Sequence, residues 1–161
     1  MFRDGVITGL GNPTPGIPIG ITSFSDNGVI VGESYGTGEN TTPIYSWYWM
    51  EDIGFRVFPG RLTRPNPWDE YKAANASGTF AGLSAPDENI WTEFEGVRTQ
   101  TGYRGVIADF NNRGEILGRY YGFGTGVIRD GQFTALASND LGALNPTIFD
   151  LNDNGQILGS D

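Results

Sequence analysis

Gly114-Glu-Ile-Leu-Gly118 has the form G-x-h-h-G, where h is apolar, and the chain repeats it in Gly28-Val-Ile-Val-Gly32, Gly78-Thr-Phe-Ala-Gly82 and Gly155-Gln-Ile-Leu-Gly159. A polar residue precedes each first glycine by three places: Ser25, Asn75, Asn111 and Asn152. An apolar residue sits one place further back: Phe24, Ala74, Phe110 and Leu151. The closing glycines lie 50, 36 and 41 residues apart. Spacings of about 40–50 residues are those of four-stranded propeller blades, and a fixed repeat decides the architecture before any local propensity does.

A second element lies between these. Phe2-Arg-Asp-Gly-Val-Ile-Thr-Gly-Leu10 matches Ile128-Arg-Asp-Gly-Gln-Phe-Thr-Ala-Leu136, with looser copies in Tyr48-Trp-Met-Glu-Asp-Ile-Gly-Phe-Arg-Val-Phe58 and Ile90-Trp-Thr-Glu-Phe-Glu-Gly-Val-Arg-Thr99. Asp-Gly flanked by alternating apolar residues signals a hairpin. The Asn/Gly-rich turns before each G-x-h-h-G supply positive φ at little steric cost. Its closing glycine leaves no side chain where strands converge, as at a crowded axis or a bulge. One unit therefore carries two hairpins, and four units carry about sixteen strands by the hairpin rule.

The expected fold is all-β: a small β-propeller of four four-stranded blades in a single repeat domain, 1–161, with units at approximately 1–34, 44–84, 89–120 and 125–161. The chain starts on one hairpin type and ends on the other, so pairing of N- and C-terminal strands is expected to close the ring and remove open edges. An eight-bladed ring from two chains and a fragment of a longer array are the alternatives. Pro- and Gly-rich linkers such as Asn12–Pro18 and Pro59–Pro67 carry the length variation.

Composition agrees with a β fold. Apolar residues make up 38% and aromatics 13%, with 25 glycines. The net charge is −9, Lys72 is the single lysine, and the arginines are scattered. Phosphate would be repelled, which argues against nucleic-acid partners and anionic membrane surfaces. No stretch has the length of a membrane-spanning helix, so no membrane insertion is expected. Cysteine and histidine are absent, which removes disulfides and the usual ligands of zinc, haem and iron–sulfur groups; no cofactor is expected. Met1–Gly5 lacks the apolar core of a signal peptide, so a cytosolic protein or one with its leader removed is expected, the latter favoured by the repeat-like segment that follows Met1.

Phe110-Asn-Asn-Arg-Gly-Glu-Ile-Leu-Gly118 and Leu151-Asn-Asp-Asn-Gly-Gln-Ile-Leu-Gly159, alternating with aromatic hairpins, resemble the HAF-type repeats of bacterial extracellular proteins. Ser25, Ala74 and Ala81 depart from that pattern, and the histidine of the family's name motif is absent. The resemblance covers nearly the whole chain. It implies a β-propeller-like fold and an extracellular or cell-surface location, and brings no catalytic residues with it.

Candidate sites were weighed against structural roles. Trp68, beside a Pro-rich loop, and Tyr120-Tyr121-Gly-Phe123, after the third G-x-h-h-G, are the expected ligand-binding aromatics. Tyr45, Trp47 and Trp49 point to one face of a strand and Tyr48 and Met50 to the other, a pattern better suited to packing between units. Residues 150–161 imitate a calcium loop, but the other copies lose the oxygen ligands and no helices flank it, so no metal is expected. Glu93 and Glu95 share a strand face, whereas glycosidase carboxylates face each other across a cleft. No histidine is present to activate a serine or threonine.

Three functions remain from this reading. The first is a non-catalytic binding or surface-display module for a sugar or protein. The second is a structural domain that assembles with further copies of itself. The third, least favoured, is a carboxylate-only glycosidase or lyase.

Overall fold

The computed structural model describes residues 2–3, 6–7, 9–25, 27–36, 43–59, 69–84, 86–136 and 147–160. Their elements are all strands, paired antiparallel: β1 (Phe2–Arg3), β2 (Val6–Ile7), β3 (Ile19–Phe24), β4 (Ile30–Tyr35), β5 (Pro43–Met50), β6 (Gly54–Pro59), β7 (Asp69–Ala74), β8 (Phe80–Ser84), β9 (Asn89–Phe94), β10 (Val97–Phe110), β11 (Ile116–Tyr120), β12 (Gly124–Arg129), β13 (Gln132–Ala135), β14 (Thr147–Leu151) and β15 (Ile157–Ser160). Asp4, Trp68 and Asp161, singled out in the sequence, lie outside the described residues.

The sheets differ from four separate blades. β3–β6 form a four-stranded meander, β7–β13 form one seven-stranded sheet, and β1–β2 and β14–β15 are isolated pairs. The reason for the seven-stranded sheet is β10. Its 14 residues run unbroken from the return strand of one hairpin into the first strand of the next. Its first part pairs with β9 and its last part with β11, with the register slipping between Gln100 and Arg104. Gly102 and Gly105 take positive φ there, which lets the strand bend without ending. The expected pairing of chain ends is also not formed among the described residues, where β1–β2 and β14–β15 belong to different sheets.

Each G-x-h-h-G strand is pinned in the same way. The asparagine before it closes an Asx-type turn. Asn75 Oδ1 accepts the N–H groups of Ser77 and Thr79 at 3.1 and 3.0 Å. Asn111 Oδ1 does so for Arg113 and Glu115 at 3.1 and 3.0 Å, and Asn152 Oδ1 for Asn154 and Gln156 at 3.0 and 2.9 Å. In the first copy Ser25 Oγ accepts only the Val29 N–H, at 3.1 Å. The partner strands β3, β7, β10 and β14 each carry a register shift just before the turn, at 21/23, 71/73, 107/109 and 148/150. None of these bulges is visible as glycine or proline in the sequence.

The closing glycines sit where backbones meet. A Cβ on Gly32 would overlap the Gly20 carbonyl and the Trp47 ring, and one on Gly82 the Glu70 carbonyl and the Trp91 ring. Gly118 faces the Val106 carbonyl beside the Tyr120 ring. The two tryptophans are fully buried, with indole N–H groups unpaired among the described residues. Packing over glycine therefore outweighs a lost hydrogen bond, a cost of about 1–3 kcal/mol each.

Two apolar clusters join successive units. Val29, just before β4, and Val31 within it, with Tyr48, Met50 and Phe58, meet Tyr71, Ala74, Phe80 and Trp91. Ala73, Ala81, Leu83 and Ile90 meet Ile107, Phe110, Ile116, Tyr120 and Ile128. Trp47 lies on the opposite side of β5 from Tyr48, edge-on to Phe55 at 5.5 Å. The face-to-face aromatic strand of the sequence thus serves packing.

Gly82→Ala is expected to cost about 3 kcal/mol or more, because neither a strand carbonyl nor a buried indole can retreat. Gly78→Ala, at positive φ with open space around its Cα, should cost about 1 kcal/mol. Urea unfolding of the two variants checks this ordering, and equal losses would contradict it.

Candidate functional site

Two places on the surface gather polar or aromatic groups. The first is a cleft of ≈ 270 Å³ where the ends of β3, β7, β10 and β14 converge. Ser23, Ser25, Asp109, Asn111, Asp150 and Asn152 supply its polar lining. Asp109 and Asp150 occupy the same position in the third and fourth repeats.

These carboxylates serve the backbone. Asp109 Oδ2 accepts the Leu151 N–H at 2.7 Å, and Asp150 Oδ1 accepts the same N–H at 2.9 Å. Burial is the largest influence on Asp109 and pushes its carboxyl up to about 6. The Phe110 and Leu151 N–H groups oppose that shift, while a hydrogen bond with Asp150 and its charge add to it. Asp109 therefore keeps its proton into the weakly acidic range.

Around them the turns interlock. Asn75 Nδ2 donates to the Asn111 carbonyl at 3.4 Å, and Asn111 Nδ2 donates to the Asn152 carbonyl at 3.0 Å. The Ala76 N–H reaches Asn112 Oδ1 at 2.5 Å, and the Asn112 N–H reaches Asp153 Oδ1 at 2.8 Å. Glu115, fully buried, bonds Asn111 Nδ2 at 2.7 Å and pairs with Arg129.

The second place is an aromatic ledge at the β11–β12 turn. Tyr121 and Phe123 are 48% and 59% exposed. Phe123 stands edge-on to Tyr103, with ring centroids 5.5 Å apart, and lies 5.4 Å from Phe133. The Tyr121 hydroxyl donates to the Glu88 carboxylate, and that bond, more than burial, raises its pKa. Arg104 beside it donates from Nε to the Asp87 carbonyl at 2.7 Å.

Sequence and structure meet only in part here. Tyr121 and Phe123 lie together on the surface. Tyr120 does not: it is buried in the second cluster, and its hydroxyl donates to the Ile116 carbonyl at 2.7 Å. Trp68 is outside the described residues. Tyr103, Phe133, Glu88 and Arg104 were missed. Tyr103 lies between the two hairpin motifs of the third unit, and Glu88 lies between units. The Asp109–Asp150 pair was missed because each acid reads alone as a turn residue.

Glu93 and Glu95 do not form a site. Glu93 is held by Arg98 at 3.0 Å and by the Tyr71 hydroxyl at 3.1 Å, while Glu95 takes φ 51° in the β9–β10 turn. Among the described residues no group of three His, Cys, Asp or Glu side chains is placed to hold a metal ion. No protein-family model, curated protein or solved structure matches this chain.

The raised Asp109 carboxyl has a consequence for stability. Between about pH 4 and pH 6 the unfolded chain releases this proton while the folded chain keeps it. This group's contribution therefore falls as pH rises through that window and is constant above it. Asp109→Asn keeps an acceptor for Leu151 without the charge. Its stability relative to the parent chain should be higher at pH 7 than at pH 4 by urea midpoint, whereas an unchanged difference would contradict the assignment.

Proposed function

We propose that the chain is a non-catalytic, β-propeller-type repeat module that binds carbohydrate on the Tyr121–Phe123 ledge. The observation that carries this is that exposed aromatic rings are held in place. Phe123 is buttressed edge-on by Tyr103 and packed near Phe133, and Tyr121 is anchored by Glu88. Fixed rings lose little freedom on binding, and their faces suit the C–H faces of a sugar ring. Carboxylate and guanidinium groups of Asp87, Glu88 and Arg104 border the rings and match hydroxyl groups.

The propeller reading draws support from the recurrent turn, bulge and glycine contact, and from the four strand ends that share one cleft. The likeness to HAF-type repeats adds a bacterial extracellular or cell-surface setting. The non-catalytic reading rests on the acids. Glycosidase carboxyls stand about 5–9.5 Å apart to admit a water or sugar atom. Asp109 and Asp150 both cap the one Leu151 N–H, and Glu93 is tied to Arg98 and Tyr71.

Titration calorimetry against a panel of neutral polysaccharides tests the proposal. Binding is expected to weaken about tenfold in Phe123→Ala, the worth of one aromatic contact. A panel with no binder at millimolar concentration, or binding indifferent to Phe123→Ala, would refute it.

A further inference from the structure

Every internal junction between repeats uses two faces, and one copy of each face is left open. The forward face carries the second apolar residue of G-x-h-h-G. Val31 and Ala81 are fully buried against the unit that follows and Leu117 is fully buried too, while the fourth copy, Leu158, is 61% exposed. The turn residue follows the same rule. Ser25, Asn75 and Asn111 are buried and Asn152 is exposed.

The backward face shows the reverse. Ala74, Phe110 and Leu151 are buried against the unit before, whereas Phe24, at the same position in the first repeat, is 62% exposed. Tyr71 and Ile107 are buried, and their counterpart Ile21 is 65% exposed. The open forward face of the fourth repeat and the open backward face of the first are thus the two halves of one junction that the chain already builds internally.

The polar ladder ends at the same place. Asn75 and Asn111 each donate an amide hydrogen to the next turn's carbonyl, and the carbonyl of Ser25 occupies the equivalent acceptor position on the open backward face. Asn152 Nδ2 bonds only within its own turn, to Gln156 Oε1 at 2.7 Å. Apolar groups this exposed and this ordered are costly in water, and repeat units bury such faces only against neighbours.

We propose that the Leu158 face docks on the Ile21–Phe24 face of a second copy of this chain, head to tail. Among the described residues both faces are open at once, and continuity with the internal junctions points to a second copy of this chain as the occupant. Two copies joined this way make both contacts reciprocally and close a ring, leaving neither face open. The charge of −9 per chain opposes the approach, so association strengthens with salt up to physiological ionic strength.

Light scattering and sedimentation equilibrium of the full chain, at about 0.15 M salt, test the proposal. The parent chain should weigh twice 17.5 kDa. Phe24→Asp and Leu158→Asp should each raise the dissociation constant by about 100-fold, as loss of a central apolar anchor does. Both positions are exposed, so circular dichroism should show the strand signal unchanged. Val97→Asp, at another exposed apolar position, should leave the mass unaltered. An equimolar mixture of the Phe24 and Leu158 variants should recover one-to-one pairs through the single intact junction. A parent chain of 17.5 kDa at all concentrations would overturn the proposal in favour of a self-contained chain. Pairs that survive Phe24→Asp, or no recovery on mixing, would overturn the head-to-tail geometry. The ledge at Tyr121 and Phe123 lies away from these positions in sequence and sheet, so failure here leaves the carbohydrate reading standing on its own test.

Discussion

One side-chain amide governs this molecule. In the second and third repeats the asparagine three residues before G-x-h-h-G closes its own hairpin with its oxygen and binds the next hairpin with its nitrogen. Asn111 shows both roles: its oxygen takes the Arg113 and Glu115 N–H groups, and its nitrogen reaches the Asn152 carbonyl. A buried amide so placed leaves few donors or acceptors unsatisfied. Where the residue is Ser25, its hydroxyl accepts the Val29 N–H and donates within the same turn, and it is too short to reach the next one. The first junction depends more heavily on packing, and it has the densest aromatic contacts: Tyr48, Phe58, Tyr71, Phe80 and Trp91 all touch there.

Glycine sets the second constraint. The closing residue of each repeat lies against the backbone of the strand it pairs with, so the two strands of one hairpin meet where no side chain would fit. Trp47 and Trp91 then cover the glycines and accept unpaired indole N–H groups in exchange for a filled core. The bulge in each partner strand re-aims the residues on either side of it, so that positions such as Ala73 and Ala74 are both buried. Charge was placed to suit this packing. Lys72 bridges the buried Glu33 and Glu70 across the first junction, and Arg98 spans Asp69 and Glu93 while lying 3.8 Å from the centre of the Trp91 ring.

Much of the local architecture was legible in the sequence, because glycine and asparagine leave signatures that periodicity exposes. The turns at Asn111 and Asn152, the glycine at the convergence of strands and the packing role of Trp47 all read correctly from spacing and residue type. The continuity of β10 did not. Gly102 and Gly105 look like strand breakers, yet here they permit a bend. The bulges were invisible because Thr22, Lys72, Ala108 and Phe149 share no side-chain property. The ledge was half legible: Tyr121 and Phe123 stood out as aromatics near a turn, but Tyr120, between them and the core, takes the inward direction. Glu88 reaches Tyr121 across β10 in one continuous sheet, and Asp150 joins Asp109 only where one repeat meets the next, and no local pattern encodes either.

Because β14–β15 form a sheet separate from β7–β13 and are tied to it by side-chain bonds at the turns, the stabilities of the two should be separable. Hydrogen exchange in the native state of Asn111→Ser is the measurement that tests this most directly. The variant retains a turn of the kind Ser25 makes and loses the reach to Asn152. The account predicts that amides of β14 and β15 lose protection while those of β7 and β8 keep theirs. A loss spread evenly over every sheet, or undiminished protection in β14 and β15, would contradict it.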